Sequence, residues 1–449
     1  MTARVRLFRL LWAAALSAVL ATAGGCWDAR EIETLGFVMA LGIDQAPNRG
    51  KFTVTAAIAL PKQLQTGGGA GQGTGGGSGR GEEPPRWIVT GTGDTIFEAI
   101  RSLHESSPRR IFLGHTQLFI IGEDLCRQGV GPVEEFFNRE KDVRRTVGLL
   151  AAEGPAQPII EAAPRLERVL SLTYTGIERW NPVSSTAHVV PLREQLYEKA
   201  AEGQELASGR ILLTSAKQAP KPSKSTMPTE FPGVGAAEAA EGQQGQQGEQ
   251  GRQGQTGTAS PAEEAQKKPE ILIAGMAAFK GDRLVGWLNR QETRGYLFIR
   301  NRPVRGSIVI TAGTDKPVKV ALESKASRTT TKVVMRRGRP EIQLKVRWNG
   351  NIAEVMGSLD VTRQEVMEQI QRRAATAIRS DMLAALKRAQ KELKTDIFGF
   401  GAKVRRAHPR EWARLKKDWD TLYPEVEVAI QVEAKVRRVG VVTKPLRPR

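Results

Sequence analysis

Two low-complexity stretches limit what this chain can fold into. Residues 67–81 contain ten glycines in fifteen positions, and residues 216–269 are nearly free of large apolar side chains. Such segments bury too little apolar surface to offset the entropy lost on ordering. We therefore predict a disordered glycine-rich insertion at 66–83 and a low-complexity linker at 216–269. A phosphate-binding loop is excluded at the first stretch, because two glutamates and two prolines follow it instead of a helix.

The first folded stretch, residues 26–215, mixes the periods of strands and helices. GFVMALGID and KFTVTAAIAL are typical of strands, as are the short apolar runs TQLFIIG and VGLLAAEG. TIFEAIRSLH places Ile96, Ile100 and Leu103 on one helical face, and residues 130–138 form a second helical pattern. Strands that alternate with helices predict a mixed α/β region.

The second folded stretch begins with a hairpin pattern in residues 270–290, which we expect to return to the N-terminal region. Residues 291–356 are mostly strand-like, and Thr362 and Glu365 form a T-x-x-E capping box. A long helix follows, whose inward side chains step by four: Val366, Ile370, Ala374, Ile378, Met382 and Leu386. A final strand alternates over residues 426–436. The fold class predicted is α+β, with a C-terminal domain, 291–449, whose mainly antiparallel sheet packs on the long helix.

The N-terminus has the layout of a secretory signal. Residues 1–9 carry three arginines and no acid, and residues 10–23 are small and apolar. A spanning helix is the competing interpretation, but these fourteen residues reach only about 21 Å of a ~30 Å hydrocarbon core. Ala23-Gly24-Gly25-Cys26 resembles a bacterial lipobox, with Ala23 at a position where leucine is usual. We predict a lipoprotein signal peptide at 1–25, with Cys26 lipidated; an ordinary signal with an incidental cysteine is the alternative.

Charge and cysteine content restrict the possible partners. Residues 291–449 carry a net charge of +18, nearly all of the +19 of the whole chain. For an exported protein this favours anionic headgroups, wall polymers or an acidic protein over nucleic acid. A solvated basic surface without a partner is the alternative.

The second cysteine, Cys126, has no partner for a disulfide if Cys26 carries lipid, and its apolar setting predicts a small buried side chain.

No catalytic or metal-binding constellation is visible in the sequence. The histidines show no metal-ligand spacing: His104, His115, His188 and His408. The motifs HExxH, GxSxG and GxxxxGK[ST] are absent from the sequence. Adjacent carboxylates such as Glu134 and Glu135 point apart, so they do not form an acid–base pair. We therefore predict an anchored binding or assembly protein that is not an enzyme and holds no cofactor or metal.

Four stretches resemble, in chain order, the Ger(x)C family of spore germination lipoproteins, the C subunits of nutrient germinant receptors. The mature start of that family is similar to CWDAREIETLGFVMALGIDQ, and its N-terminal domain to SPRRIFLGHTQLFIIGEDLCRQGV followed by EFFNREKDVRRT. Its central hairpin resembles GMAAFKGDRLVGWLNRQETRGYLFI, and its C-terminal signature resembles DIFGFGAKVRRAHPREWARLKKDWDTLYPEVEVAIQVEAKVRRVG.

The resemblance implies a non-catalytic receptor subunit on the outer face of the spore inner membrane. It would be anchored by a diacylglycerol thioether and palmitate at Cys26 and assembled with A-type and B-type membrane subunits. A solute-binding lipoprotein of a transporter is the alternative, but it requires two similar lobes. The residues expected to contact a partner or the membrane are Trp27, Arg405, Arg406, Lys416 and Lys417. The family-motif residues expected to be structural are Asp396, Gly399, Phe400, Gly401, Trp412 and Trp419.

Overall fold

The computed structural model describes residues 31–48, 50–60, 86–162, 185–214, 270–313 and 317–437, with single positions and short pieces inside 8–17 and 171–179. Within them, the strands form two sheets. The larger has nine strands: β1 (Leu35–Gln45), β2 (Phe52–Ala59), β3 (Arg86–Gly93), β4 (Arg110–Phe112), β5 (Leu118–Ile121), β6 (Gly148–Ala152), β7 (Ala207–Thr214), β8 (Glu270–Lys280) and β9 (Arg283–Leu288). The smaller has four: β10 (Ser307–Ala312), β11 (Val318–Arg336), β12 (Arg339–Met356) and β13 (Glu427–Arg437).

The helices pack on both faces of the large sheet and on one face of the small one. They are α1 (Ile96–Ser102), α2 (Glu123–Gln128), α3 (Gly131–Arg139), α4 (Gln157–Glu161), α5 (Leu192–Ala200), α6 (Arg290–Ile299), α7 (Gln364–Leu386), α8 (Phe400–Ala407), α9 (Pro409–Leu415) and α10 (Trp419–Leu422). A π-helical turn, Lys387–Glu392, extends α7. The fold is α+β, as predicted.

The large sheet is parallel in its centre and antiparallel at both sides. Its order is β3-β2-β1-β5-β6-β7-β8-β9, with β4 beside the start of β1. Strands β1, β5, β6 and β7 run parallel, and β5 and β6 are buried on both faces. This explains their continuous apolar sequences, because a parallel strand covered on both faces has no wet side.

Two pairs of neighbouring antiparallel strands are joined by the low-complexity stretches. Ala59 of β2 is the register partner of Arg86 of β3, and Thr214 of β7 is the partner of Glu270 of β8. Both stretches therefore leave the sheet and return to it at adjacent strands. The insertion predicted at 66–83 and the linker predicted at 216–269 lie outside the described residues.

Strand β8 contributes to three hydrophobic cores, and its Ile273 packs into the one that also holds Ala40 and Leu150. Met276 and Ala278 pack into the core beneath the small sheet, whereas Ala277 and Phe279 pack into the core under α1 and α3. This follows from strand geometry, because successive side chains point to opposite faces. The small sheet is therefore packed against the large one through β8.

Helix α7 fills the inner face of the small sheet. Ile370, Ala374, Ile378 and Met382 are fully buried, as predicted, whereas Val366 is only partly buried. These side chains pack against the inward residues of β12, the last of which is Trp348. The indole N–H of Trp348 donates to Ser324 Oγ at 2.8 Å. The alternation predicted for β12 is confirmed.

Two details of the predicted second stretch are wrong. Residues 290–299 form a helix rather than a strand, and this helix starts at a capping box between Asn289 and Glu292. The box predicted at Thr362 and Glu365 is absent. Thr362 instead turns to Asp360, which accepts from its backbone N–H at 2.9 Å, so α7 begins at Gln364 without a side-chain cap. The small sheet is mainly antiparallel, as predicted, with two antiparallel pairings and a parallel one between β12 and β13.

Candidate functional site: the Asp396 junction

The family-motif residues converge on one buried carboxylate, which we call the Asp396 junction (Asp396, Gly399–Gly401, Trp412 and Trp419). The Asp396 carboxylate accepts from the backbone N–H groups of Phe400 at 3.0 Å and Gly401 at 2.8 Å. It also accepts from Trp419 Nε1 at 3.1 Å. The side chain therefore caps the first turn of α8, where helix N–H groups have no partner within the helix.

The junction is an unusual environment for an acid. Burial raises the pKa of Asp396 to about 6, although its three donors and the nearby Lys403 lower it. Burial likewise lowers the pKa of Lys403 to about 8, with repulsion from Arg300 acting in the same direction. Desolvation penalises the charged form of both groups. Asp396 thus takes up its proton within a mildly acidic range.

The glycines of DIFGFG allow a close approach to the loop before β7. Gly399 has φ +67°, a backbone conformation that residues with a side chain rarely adopt. A Cβ at this position would lie 2.6 Å from Gln204 Oε1. A Cβ on Gly401 would lie 2.7 Å from the carbonyl oxygen of Gly203. Backbone hydrogen bonds join the same elements, including Glu205 N–H to Asp396 O at 3.0 Å. The motif therefore locks the C-terminal part onto residues 203–205.

The two motif tryptophans pack on each other. Their ring centroids lie 5.3 Å apart in an edge-on arrangement, and both side chains are buried. Residues 409–422 are not one continuous helix, because a 3₁₀ turn, Lys416–Asp418, separates α9 from α10. Phe400 is also fully buried, so the structural role predicted for these aromatic residues agrees with their packing.

A cleft of about 340 Å³ lies between residues 202–205 and the segment 412–423. Lys394, Lys416 and Lys417 line it together with acidic side chains. The buried Tyr423 hydroxyl has no hydrogen-bond partner among the residues that the structure describes. The cleft is thus polar and of mixed charge, unlike the apolar pockets that hold most small-molecule ligands.

The four basic residues predicted to contact a partner are not equally free. Arg405 and Lys416 both pair with Glu202, at 3.4 Å and 3.3 Å. Arg406 and Lys417 are exposed and form no ion pair within the described residues. Exposed pairs such as those to Glu202 contribute little to stability. Cys26 and Trp27 lie outside the described residues, so their roles remain predictions.

Sequence reasoning missed a second link between the two parts of the chain. The Arg300 guanidinium pairs with Glu198 of α5 and donates to Phe398 O at 3.1 Å, and Arg302 pairs with Glu194. Arg300 and Glu198 are largely buried, so removing one partner would leave an uncompensated charge. Their separation of about a hundred residues leaves no local signal, although Arg300 closely follows the family stretch that ends at Ile299.

The described residues offer no group of three His, Cys, Asp or Glu side chains that could hold a metal ion. His188 is partly buried, and desolvation lowers its pKa to about 3, so it is neutral. Cys126 is fully buried, as predicted, and burial raises the pKa of its thiol. No helix in the described part of the chain combines the length and hydropathy needed to span a bilayer.

Comparison with known proteins agrees with the sequence resemblance. Residues 28–208 match the family described as spore germination protein N-terminal domain, and residues 274–440 match the family described as spore germination B3/GerAC like, C-terminal. Spore germination protein KC of Bacillus subtilis (strain 168) is 26% identical over 433 residues, which cover 94% of each chain. Spore germination protein B3 of the same organism is 23% identical over 423 residues, covering 94% of this chain and 95% of that protein.

A solved structure, the crystal structure of the GerBC protein, covers 90% of this chain and 99% of its own, with 17% identity and a TM-score of 0.49. The two family matches together cover most of the chain and leave out the 216–269 stretch. This protein belongs to the Ger(x)C family of spore germination proteins.

Proposed function

We propose that the protein is the non-catalytic, lipid-anchored subunit of a spore nutrient germinant receptor. In this proposal Cys26 carries the lipid, and the folded part lies on the outer face of the spore inner membrane. The protein would assemble there with A-type and B-type membrane subunits. The observation that carries the proposal is the relationship to spore germination proteins along nearly the whole chain, with family matches at 28–208 and 274–440 and a relative that covers 94% of the chain.

The position of Cys26 supports the anchor. Only eight residues separate it from Leu35, the first residue of β1, so an extended connection spans about 30 Å at most. A diacylated cysteine anchors a protein stably, because each buried CH₂ contributes about 0.8 kcal/mol. Trp27 would then lie at the depth where indoles are favoured.

We propose further that the basic C-terminal part orients the protein against the membrane complex. Arg406 and Lys417 form no ion pair with a described residue, whereas Arg405 and Lys416 would have to exchange Glu202 for a partner. Neutralising all four residues, or raising the salt concentration, should weaken co-purification with the membrane subunits. Unchanged recovery of the complex would contradict this orientation.

The anchor is tested by fractionating spores that carry the wild-type chain, Cys26→Ala or Cys126→Ala. The wild type and Cys126→Ala should be found in the inner membrane with a transporter-like partner, because Cys126 is buried in the fold. Cys26→Ala should be lost from that fraction. If all three chains behave alike, lipidation at Cys26 does not hold the protein at the membrane.

A further inference from the structure

The outer face of the small sheet contains a basic depression of about 600 Å³, which we call the basic groove. It lies on the side of β11, β12 and β13 opposite α7. Its floor includes Thr330 of β11 and Gln431 of β13. Its cationic side chains are Arg328 and Lys332 of β11 and Lys345 and Arg347 of β12.

The cations of the groove exceed the acids that face them. Glu433 of β13 is shared between Lys345 at 2.6 Å and Arg347 at 3.4 Å. Arg328 and Lys332 are exposed and have no ion-pair partner among the described residues. The nearest further acid of β12, Glu341, pairs with Arg336 and with the Gln343 amide instead. The groove therefore keeps at least two positive charges without a counter-charge.

The register of the strands brings like charges together. Arg328 lies directly opposite Arg347, and Thr330 lies opposite Lys345. Like charges at directly opposed positions of an antiparallel pair destabilise it. A bound anion would relieve this repulsion. Binding of an anion would therefore also stabilise the pairing of β11 with β12.

The shape of the groove selects among anionic partners. A bilayer surface is flat on this scale and contacts convex or planar surfaces, whereas the basic groove is a depression. From Arg328 to Lys332 the groove runs four residues along β11, or about 13 Å at ~3.3 Å per residue. An extended peptide of four or five residues has the same length. Its alternate side chains repeat at ~6.6 Å, which is also the repeat of Lys345 and Arg347 along β12.

We infer that the basic groove binds an extended acidic segment of a partner protein, with carboxylates at alternate positions. This inference deepens the proposed function, on which it rests for the partner's setting. It adds a second contact, on the outer face of the small sheet, to the one proposed around the Asp396 junction.

A first experiment uses a labelled peptide of four Glu-Ser repeats as the probe, with its Gln-Ser counterpart as the control. The chain from Cys26 onwards, the proposed mature form, is used. Arg328→Gln with Lys332→Gln should weaken binding of the acidic peptide about tenfold. Arg373→Gln with Arg379→Gln removes the same charge from exposed positions of α7 and should leave binding unchanged.

A vesicle arm distinguishes lipid from protein. Phosphatidylglycerol vesicles should bind equally to the wild type and to the groove variant. Equal loss of peptide binding in both double variants would contradict the inference, as would a groove variant that loses vesicle binding but keeps the peptide.

A second experiment places a photo-crosslinking residue at Thr330 in spores, with Thr376 on the exposed side of α7 as the control position. The Thr330 adduct should map to a partner segment with alternating Asp or Glu, and the Thr376 adduct should not. A lipid adduct, or a partner segment without acids, would overturn the inference. A chain that fails to co-purify with any membrane subunit contradicts the proposed function instead, and the peptide result then decides the groove alone.

Discussion

Replacing Asp396 with asparagine is expected to change how the stability of the protein depends on pH. The carboxylate is buried and accepts three hydrogen bonds, from Phe400, Gly401 and Trp419. An asparagine fits the same space but has one oxygen instead of two. It keeps part of this network and turns its NH₂ group towards a donor, so we expect a loss of stability at every pH.

The size of that loss should depend on pH because Asp396 titrates and asparagine does not. The pKa of the carboxyl is about 6 in the folded protein against an ordinary 3.8, so the folded state holds the proton more tightly than the unfolded state. The wild-type contribution is therefore complete below about pH 4 and is lost as the pH rises through 6. At 1.36 kcal/mol per pKa unit, the free energy of unfolding of the wild type falls by about 3 kcal/mol over this range.

The assay is urea unfolding of both chains between pH 4 and pH 7, followed by tryptophan fluorescence. The wild type should exceed Asp396→Asn by about 2.4 kcal/mol more at pH 4 than at pH 7, because the unfolded state is already partly ionised at pH 4. Other titrating groups contribute equally to both chains and cancel in the difference. Lys403, with a pKa of about 8, remains charged over most of this range. A difference that is constant, or that grows with pH, would show that the hydrogen bonds outweigh burial and keep the carboxylate ionised.

Three further outcomes are expected. Gly399→Ala should destabilise the fold by more than about 1 kcal/mol. The control Gly338→Ala should cost only about 1 kcal/mol, because Gly338 is also at positive φ but a Cβ there would have no neighbour within 4 Å. Equal urea midpoints for the two variants would contradict the close approach at Gly399. In the same assay, Ile378→Ala should lower the free energy of unfolding by about 2–5 kcal/mol, and Leu383→Ala, at an exposed position, should lower it far less. Similar losses in the two variants would contradict the orientation of α7 towards the core. Cys126 should resist maleimide until the chain unfolds, as measured by mass spectrometry, and labelling of the native protein would refute its burial.

Elements with a strong local period were predictable from the sequence. The strand β12 and the helix α7 follow their patterns because burial of one face imposes periods of 2 and 3.6. The predicted inward stripe of α7 drifts, however, since steps of four advance by 40° per step on a 3.6-residue helix. Met367 is consequently buried at the start of α7, where Val366 was expected.

Features that depend on distant partners were not predictable in the same way. The apolar run at the end of α6 favours a strand, whereas Asn289 and Glu292 have the spacing of a capping box that starts a helix. The alternation of β13 is identical in parallel and antiparallel strands. The long helical connection from β12 was the available sign of a parallel pair, because such pairs need a crossover.

The candidate site was predictable only in part. The motif residues at 396–419 were recognised, and the cap made by Asp396 follows from its position before the helix. The loop at 203–205 that the glycines contact, and the Arg300–Glu198 pair, lie far away in sequence and required the fold. The basic groove needed the register of three strands, since no single strand shows that Arg328 faces Arg347.

The way in which the two low-complexity stretches leave and re-enter the large sheet makes them permissive sites for protein engineering. Each joins strands whose facing residues are already register partners, Ala59 with Arg86 and Thr214 with Glu270. The ends are held by the sheet, so doubling or halving such a connection changes the closure entropy by only about 0.6 kcal/mol. A fluorescent reporter or an affinity tag inserted there should leave the hydrophobic cores intact. The protein could then be followed in living spores through a position that lies apart from both Cys26 and the basic groove.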